Sequence, residues 1–553
     1  MTRPVTHPRR PAGGRGIRRA LTGAALAFAV VAPAFAQGGA GPLFVTADRC
    51  MGCHNGLVSP AGQDISMGTD WRSSMMANAA RDPYWQASVR RETIAHPSAA
   101  AAIQDECSAC HMPMMRFTAK TAGAQGQVFA NLPIGRAAAP QALLAADGVS
   151  CTLCHQIRSD GLGERSSFVA GFAIAGAGSA AAPREIFGPF TVDAARSGIM
   201  SSSSGFTPTK AAHIQSSELC ATCHTLYTHS RGPGGEVLGE LPEQVPYLEW
   251  RHSDYPESRS CQACHMPVVD GEVPITGVLG VPRSHVSRHV FRGGNFFMPR
   301  IFTAHAQELG VTALPQELDT ASRRTTENLE TAAARLHLAG AAVDGDRLVA
   351  EVVIENLAGH KLPTAYPSRR AWIHLVVRDA AGGVVFESGA LGPDGRIEGN
   401  DNDLEAARYE PHYPVIDRAD QVQVYETIME DANGDVTTGL IAAVRFVKDN
   451  RILPAGFDKQ TAEDDIAVRG AAQEDEDFTG GGDRVRYAIQ IAPSRGPFNV
   501  QAELWYQPIG YRWAHNLSDS PAPETDRFVA YYDQAAGGSG AVLARAAAEV
   551  PVR

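Results

Sequence analysis

The chain has 553 residues, 44% of them hydrophobic and 20% charged, so it is too long for one ordinary core and too apolar for a disordered chain. Its formal net charge is −11; setting aside the first 36 residues, which hold six arginines and no acid, leaves 43 basic and 60 acidic residues, or −17. That balance excludes a nucleic-acid binder, which needs a basic face.

Taken in chain order, the first element is a targeting segment. An arginine-rich opening leads into the apolar run Ala24 to Ala32, followed by Ala34-Phe35-Ala36. This reads as a secretory signal peptide over 1–36, since the run falls short of the roughly 20 residues a membrane span requires. No later stretch is apolar enough to span a bilayer, so the mature protein is expected in the periplasm or outside the cell.

Export normally implies disulfides, yet the cysteines follow another pattern. All ten lie between Cys50 and Cys264 and form five C-x-x-C-H motifs. These are Cys50 and Cys53 with His54, Cys107 and Cys110 with His111, Cys151 and Cys154 with His155, Cys220 and Cys223 with His224, and Cys261 and Cys264 with His265. Two thiols at this spacing form thioethers to the two vinyl groups of one porphyrin, and the adjacent histidine reaches the iron. Disulfides would not impose uniform spacing, and zinc ribbons or thioredoxin-like pairs would not need a histidine after every pair. With only 18 histidines in the chain, its recurrence after all five pairs points to five covalently attached haem c groups and no cysteine left for a disulfide. Residues 37 to about 325 are rich in Ala, Gly, Ser and Pro, so the porphyrins must supply much of that core. First cysteines are separated by 57, 44, 69 and 41 residues, giving each haem one small helix-and-loop unit beside its neighbours.

The sixth ligand of each iron decides between conduit and catalyst. Candidates are His96, His213, His252, His229, His285, His289 and His305, with Met76, beside Met75, as a methionine alternative to simple packing against porphyrin. His96, His213 and His252 each precede a motif by a few residues, where an upstream helix brings them to a neighbouring haem. His285 and His289 are spaced to share one face of a short helix. Seven histidines for five irons favour bis-histidine coordination. If one iron is open instead, Tyr227, Arg283 or Arg288 are polar groups able to orient a small oxyanion there.

The motifs, the two C-H-M-P phrases at Cys107 to Pro113 and Cys261 to Pro267, and Glu243-Gln244-Val245-Pro246-Tyr247-Leu248-Glu249-Trp250 resemble the multihaem cytochrome c superfamily. That group includes tetrahaem electron carriers of nitrifiers, pentahaem nitrite reductases and octahaem hydroxylamine oxidoreductases. The nitrite reductases typically carry one C-x-x-C-K motif, whereas all five motifs here end in histidine, and the octahaem enzymes have more motifs. The resemblance therefore implies haem chemistry over about half the chain without implying either reaction.

Beyond a polar helical connector from Gln316 to Thr331 the pattern changes. Leu348 to Ile354, Ala371 to Arg378, Val384 to Phe386, Val422 to Met429, Arg484 to Ile491 and Val500 to Tyr506 read as strands, with Asp379 to Gly383 as a turn. The densest segment, Gly359-His360-Lys361-Leu362-Pro363-Thr364 followed by Arg369-Arg370, resembles loops of β-domains attached to multihaem cytochromes. The resemblance implies His360 as a further distal ligand reaching a haem across the interface, with Arg369 or Arg370 pairing propionates. Acidic clusters at 400–403, 463–465 and 474–477 fit no known calcium-loop spacing and read as solvated loops rather than a calcium site.

The expected fold is α+β in two domains: a mainly α-helical, loop-rich pentahaem module over 37–325 and an all-β, sandwich-like domain over 326–553. The expected function is electron transfer along a haem chain between redox partner proteins. The alternatives are an oxidoreductase acting on a small nitrogen or sulfur compound at one open haem, and a structural subunit of an oligomeric extracellular haem assembly. Ten ionised propionates would deepen the −17 charge and favour a basic or charge-patched partner.

Overall fold

The computed structural model describes residues 42–174 and 184–552. The expected signal peptide at 1–36 lies outside them. Short helices dominate the cysteine-bearing half: α1 (Asp48–Met51), α2 (Pro83–Ala95), α3 (Ala100–His111), α4 (Cys151–Cys154), α5 (Ser217–Ala221), α6 (Pro246–Arg251) and α7 (Cys261–His265). Asp82 starts α2 by accepting the backbone N–H groups of Tyr84 and Trp85, and Pro83 sits in the first turn, where its missing N–H costs nothing. One hairpin, β1 (Leu226–Arg231) with β2 (Val237–Gln244), interrupts the helices.

The polar connector is helix α8 (Pro315–Ala332), as its sequence predicts, and it buries Leu318, Thr325 and Leu329. The expected boundary at 325 falls inside this helix. Beyond it follow β3 (Ala334–Asp344), β4 (Arg347–Asn356), β5 (Arg370–Arg378), β6 (Val384–Ser388), β7 (Val415–Ile416), β8 (Val424–Tyr425), β9 (Thr427–Asp431), β10 (Ala443–Asp449), β11 (Gly482–Gln490), β12 (Phe498–Gln507), helix α9 (Pro523–Ala535) and β13 (Ala541–Val550).

One sheet has the order β7-β11-β4-β3, and the other runs β6-β5-β12-β13 with β8 also paired to β5. Strand β4 alternates buried and less buried residues along its whole length, so Leu348, Ala350, Val352 and Ile354 face inward. Central strand β5 is buried on both faces: Ile373, Leu375 and Val377 join the large core, while Trp372 packs with Ile397, Val422 and Val424 on the other side. The turn between β5 and β6 forms where predicted; Asp379 Oδ1 accepts Ala381 N and Gly383 N, and Gly382 takes φ +81°.

The large core cluster includes inward residues of both sheets together with Tyr84, Phe168, Tyr247, Phe296 and Phe302 from the cysteine-bearing half. Helix α9 packs on α2, where Arg90 makes a two-pronged pair with Glu524, each bond 2.9 Å long. The other apolar residues of the cysteine-bearing half fall into several small clusters. Among the described residues no helix is long and apolar enough to cross a membrane.

Candidate haem-binding centres

Each C-x-x-C-H motif forms a helical turn. His54 N, His155 N and His224 N bond back to Cys50 O, Cys151 O and Cys220 O at 3.0, 3.1 and 2.9 Å, which sets both thiols and the histidine on one face. None of the ten cysteines forms a disulfide; nine are partly shielded and Cys264 is exposed.

The first motif departs from a regular helix at its second cysteine. Cys53 lies past the end of α1, in the turn before His54, where its amide bonds Cys50 O at 3.1 Å. The Cys53 carbonyl accepts Gly277 N (2.8 Å) and the Thr276 hydroxyl (3.1 Å) instead of continuing the helix. A segment more than 200 residues away in sequence thus holds this thiol in place. Sequence spacing alone gives no sign of that tie.

The motif histidines share a further feature invisible in their spacing. His54 Nδ1 donates to Ile275 O (2.7 Å), His111 Nδ1 to Ala79 O (2.9 Å), His155 Nδ1 to Phe187 O (2.6 Å) and His265 Nδ1 to Arg292 O (2.5 Å). A carbonyl acceptor fixes the proton on Nδ1 and leaves the Nε2 lone pair bare, which is how proteins orient an imidazole that binds metal. Burial lowers His111 and His265 to about 4, so both rings are neutral and able to ligate at ordinary pH. These residues fit haem iron. His224 makes no such bond among the described residues; burial lowers its pKa, and the charge of Arg369 adds to the effect.

Two distal candidates stand opposite motif histidines. The His155 and His289 rings are 6.2 Å apart between centroids and inclined by 20°, and the His265 and His360 rings are 6.3 Å apart at 17°. Two imidazoles bound to one iron at about 2 Å per nitrogen set their centres about 6.3 Å apart. Burial, with His155 as the next contributor, lowers His289 to about 3. His360 Nδ1 donates to Lys361 O at 2.9 Å, again leaving Nε2 bare.

The remaining candidates are placed otherwise. His213 Nε2 bonds Ile157 O (2.8 Å), and His252 Nε2 bonds Asp458 O (3.1 Å). His229 Nδ1 lies 3.2 Å from Glu106, and His305 stacks on Tyr531 with ring centroids 3.6 Å apart. His96 ends α2. The Met76 carbonyl accepts Val149 N, while Met75 packs against the main core. His285 and His289 do not share a helix: His285 is exposed with φ +59°, and Ser287 bridges to Val268 in extended structure. Pro282 and the glycines at 293 and 294 leave too little room for helical turns.

Of the polar groups proposed near an open iron, Tyr227 donates to Asp465 beneath Arg165, Arg283 bonds Thr191 O, and Arg288 pairs with Asp70. Arg370 is buried and committed to Asp403 through two 2.8 Å bonds. Arg369 donates to Thr364 O and lies where its charge acts on both His224 and His360. It is therefore the arginine of this pair whose charge reaches the candidate histidines.

Two acids read as solvated are drawn inward, Asp403 buried and Asp475 half-buried. Asp403 holds Arg370, and Asp475 turns inward to within 3.2 Å of His412 Nε2, with Asp483 at 3.8 Å. His412 Nδ1 accepts from Gln423 (2.8 Å) and Asn450 (3.1 Å), whose amide oxygens are in turn occupied by Tyr413 N and Glu426 N. The ring proton therefore sits on Nε2, facing the carboxylates, which suits a buried hydrogen-bond network and opposes metal ligation by that nitrogen.

Near Cys107 lies a buried acid group. Burial pushes Glu243 up to about 7, against the hydroxyl donated by Thr228, and Glu106 and Glu92 push it further. Such an acid stays protonated in the fold while the unfolded chain ionises near 4.5, so stability falls as pH rises from about 4.5 to about 7. Glu243→Gln should therefore stabilise the holoprotein by about 3 kcal/mol at pH 8 and by little at pH 4. Denaturant melts of the two proteins at both pH values check this; a gap that does not change with pH would contradict it.

The attachment sites adjoin one another. Cys50 and Cys151 lie close enough for each to shift the other's ionisation, as do Cys110 with Cys223 and Cys220 with Cys261. Cys154 lies within electrostatic range of both Cys220 and Cys223.

No family model and no curated protein matches the chain. Among solved structures, it is similar to a penta-haem cytochrome c552 from Thermochromatium tepidum. The two share 14% identity with a TM-score of 0.49, over 92% of this chain and 99% of that one.

Proposed function

We propose that this protein is an exported pentahaem c-type cytochrome that carries electrons along a haem chain between redox partners. The observation that carries the reading is the adjacency of the attachment sites. Cysteines of the first and third motifs lie close enough to shift each other's ionisation, as do those of the second and fourth and of the fourth and fifth, and Cys154 of the third lies within electrostatic range of the fourth. The fourth motif, Cys220 to His224, is the junction.

Bound haem c supplies one-electron exchange between ferric and ferrous iron. The chain does the rest. Cysteines tether, and four of the five motif histidines bind with their Nδ1 protons donated to backbone carbonyls. His289 and His360 close two iron sites from the opposite side, and burial keeps water from those rings. At those two irons, histidine on both faces leaves no position for substrate and favours low potentials. Residues 37–325 serve as the haem module, and 326–553 as a sandwich-like β-domain that contributes His360. The −17 charge favours a basic redox partner in the periplasm or outside the cell.

A second reading, a haem oxidoreductase, is favoured by one observation: the Arg369 cation acts on His224, the motif histidine without a carbonyl partner among the described residues. A guanidinium there suits a small oxyanion.

Haem quantitation and electron paramagnetic resonance of the purified holoprotein separate the two. Electron transfer predicts five haems per chain, all low-spin and unchanged by nitrite, hydroxylamine or cyanide. A high-spin centre that binds those ligands would give the oxidoreductase reading the lead.

A further inference from the structure

Glu249 belongs to the Glu243 to Trp250 segment, yet it touches no haem attachment residue. It lies in α6 with no exposed surface. Its Oε2 accepts the backbone N–H of Lys361 (3.1 Å) and the Thr364 hydroxyl (2.5 Å), and its Oε1 lies 2.9 Å from Arg451 Nη1. Its partners thus lie on the loop that carries His360 and on the strand end beside it.

The contacts converge on one residue. His360 rests its Nδ1 on the Lys361 carbonyl, and Glu249 holds the N–H of that same residue. Asn356 Nδ2 donates to His360 O and Ile452 O, both at 2.9 Å, fixing the other side. Gly359 lies against α6 and the chain after it: a Cβ there would be 3.3 Å from Trp250 Cδ1 and 3.4 Å from Tyr255 Cγ, tighter than most side chains tolerate. A carboxylate removed from water is costly unless its charge is paired; here Oε2 accepts two hydrogen bonds, while Oε1 faces the Arg451 cation at ion-pair distance outside hydrogen-bond geometry.

We propose that Glu249 is the positioning residue for the sixth ligand at the His265 centre, clamping the His360 loop onto α6 so that the imidazole stays opposite His265. The inference rests on the reading that His360 ligates that iron. Glu249 never contacts the reacting atoms; it acts through the loop backbone. Hydrogen bonds to a charged acceptor are strong enough that losing them should raise the population of the ligand-off state about tenfold or more.

The test uses holoprotein carrying His360→Ala, Glu249→Gln, Thr364→Val or the first two together, read by electron paramagnetic resonance and by cyanide binding. His360→Ala should create one high-spin centre. Glu249→Gln should show part of that signal and bind cyanide about tenfold faster than wild type, with Thr364→Val shifted less in the same direction. The double variant should be no more high-spin than His360→Ala alone.

Low-spin, cyanide-inert Glu249→Gln beside high-spin His360→Ala would overturn the positioning role while leaving ligation intact. Low-spin His360→Ala would overturn ligation itself. If Glu249→Gln fails to mature, Thr364→Val decides, because it keeps the carboxylate and its Arg451 pair; a wild-type cyanide rate there counts against the clamp.

Discussion

Replacing His289 with alanine should yield a holoprotein in which one iron in five turns high-spin and binds cyanide, while the other four keep their spectra. The expectation follows from the 6.2 Å spacing of the His155 and His289 rings, which leaves room for one iron between them. His155 is fixed from behind by Phe187 O, so the loss of its counterpart should not move it. The reduction potential of that centre should rise, since a nitrogen donor that stabilises ferric iron is gone. Methionine in place of His289 should raise the potential while restoring low spin, a combination that a merely structural histidine would not produce. Potentiometric titration followed in the visible spectrum, together with spin counting, checks both. Five low-spin irons in the alanine variant would remove His289 from the ligand set.

The proposed attachment sites are legible in sequence because thioether chemistry is local: both sulfurs and the histidine come from five consecutive residues. Distal ligation has no such signature. His289 lies 134 residues beyond His155, and His360 lies 95 beyond His265, with different backbone conformations bringing each into place. His213 and His252 sit closer to motifs in sequence, yet their Nε2 atoms are taken up by backbone carbonyls. Which ring nitrogen is bare separates these histidines better than spacing does, and only the fold reveals it.

The strands showed the same split between local and distant information. β4, β5, β11 and β12 were readable from alternating Val, Ile and Leu. β13 was not, because half of Ala541 to Val550 is alanine, a helix former held in extended form by its register against β12. The acidic clusters misled for a related reason. A run of Asp and Glu looks solvated until Arg370 or His412 is found facing one member of it.

The largest loss of stability should come from Asp449. Its carboxylate pairs with Lys361 Nζ and Arg451 Nη2, both at 2.7 Å, and the three side chains are 5%, 0% and 8% exposed. Burial pushes the Asp449 carboxyl up, but Arg451 and Lys361 together outweigh it and hold it at about 2. Asp449→Ala leaves two buried cations with Glu249 as the remaining anion beside them, and breaking a buried pair in this way costs about 3–5 kcal/mol. Lys361→Met should cost less, because the Arg451 pair with both acids survives and methionine fills similar volume. The pH dependence supplies an independent check. A carboxyl whose folded pKa lies below its unfolded value stabilises fully above about pH 4 and loses that contribution as pH falls toward 2. The gap between wild type and Asp449→Ala should therefore stay constant from pH 8 to pH 5 and close below pH 4. Urea melts followed by circular dichroism measure it; a gap under about 1 kcal/mol at pH 7 would mean that the lysine and arginine escape to water instead of staying buried.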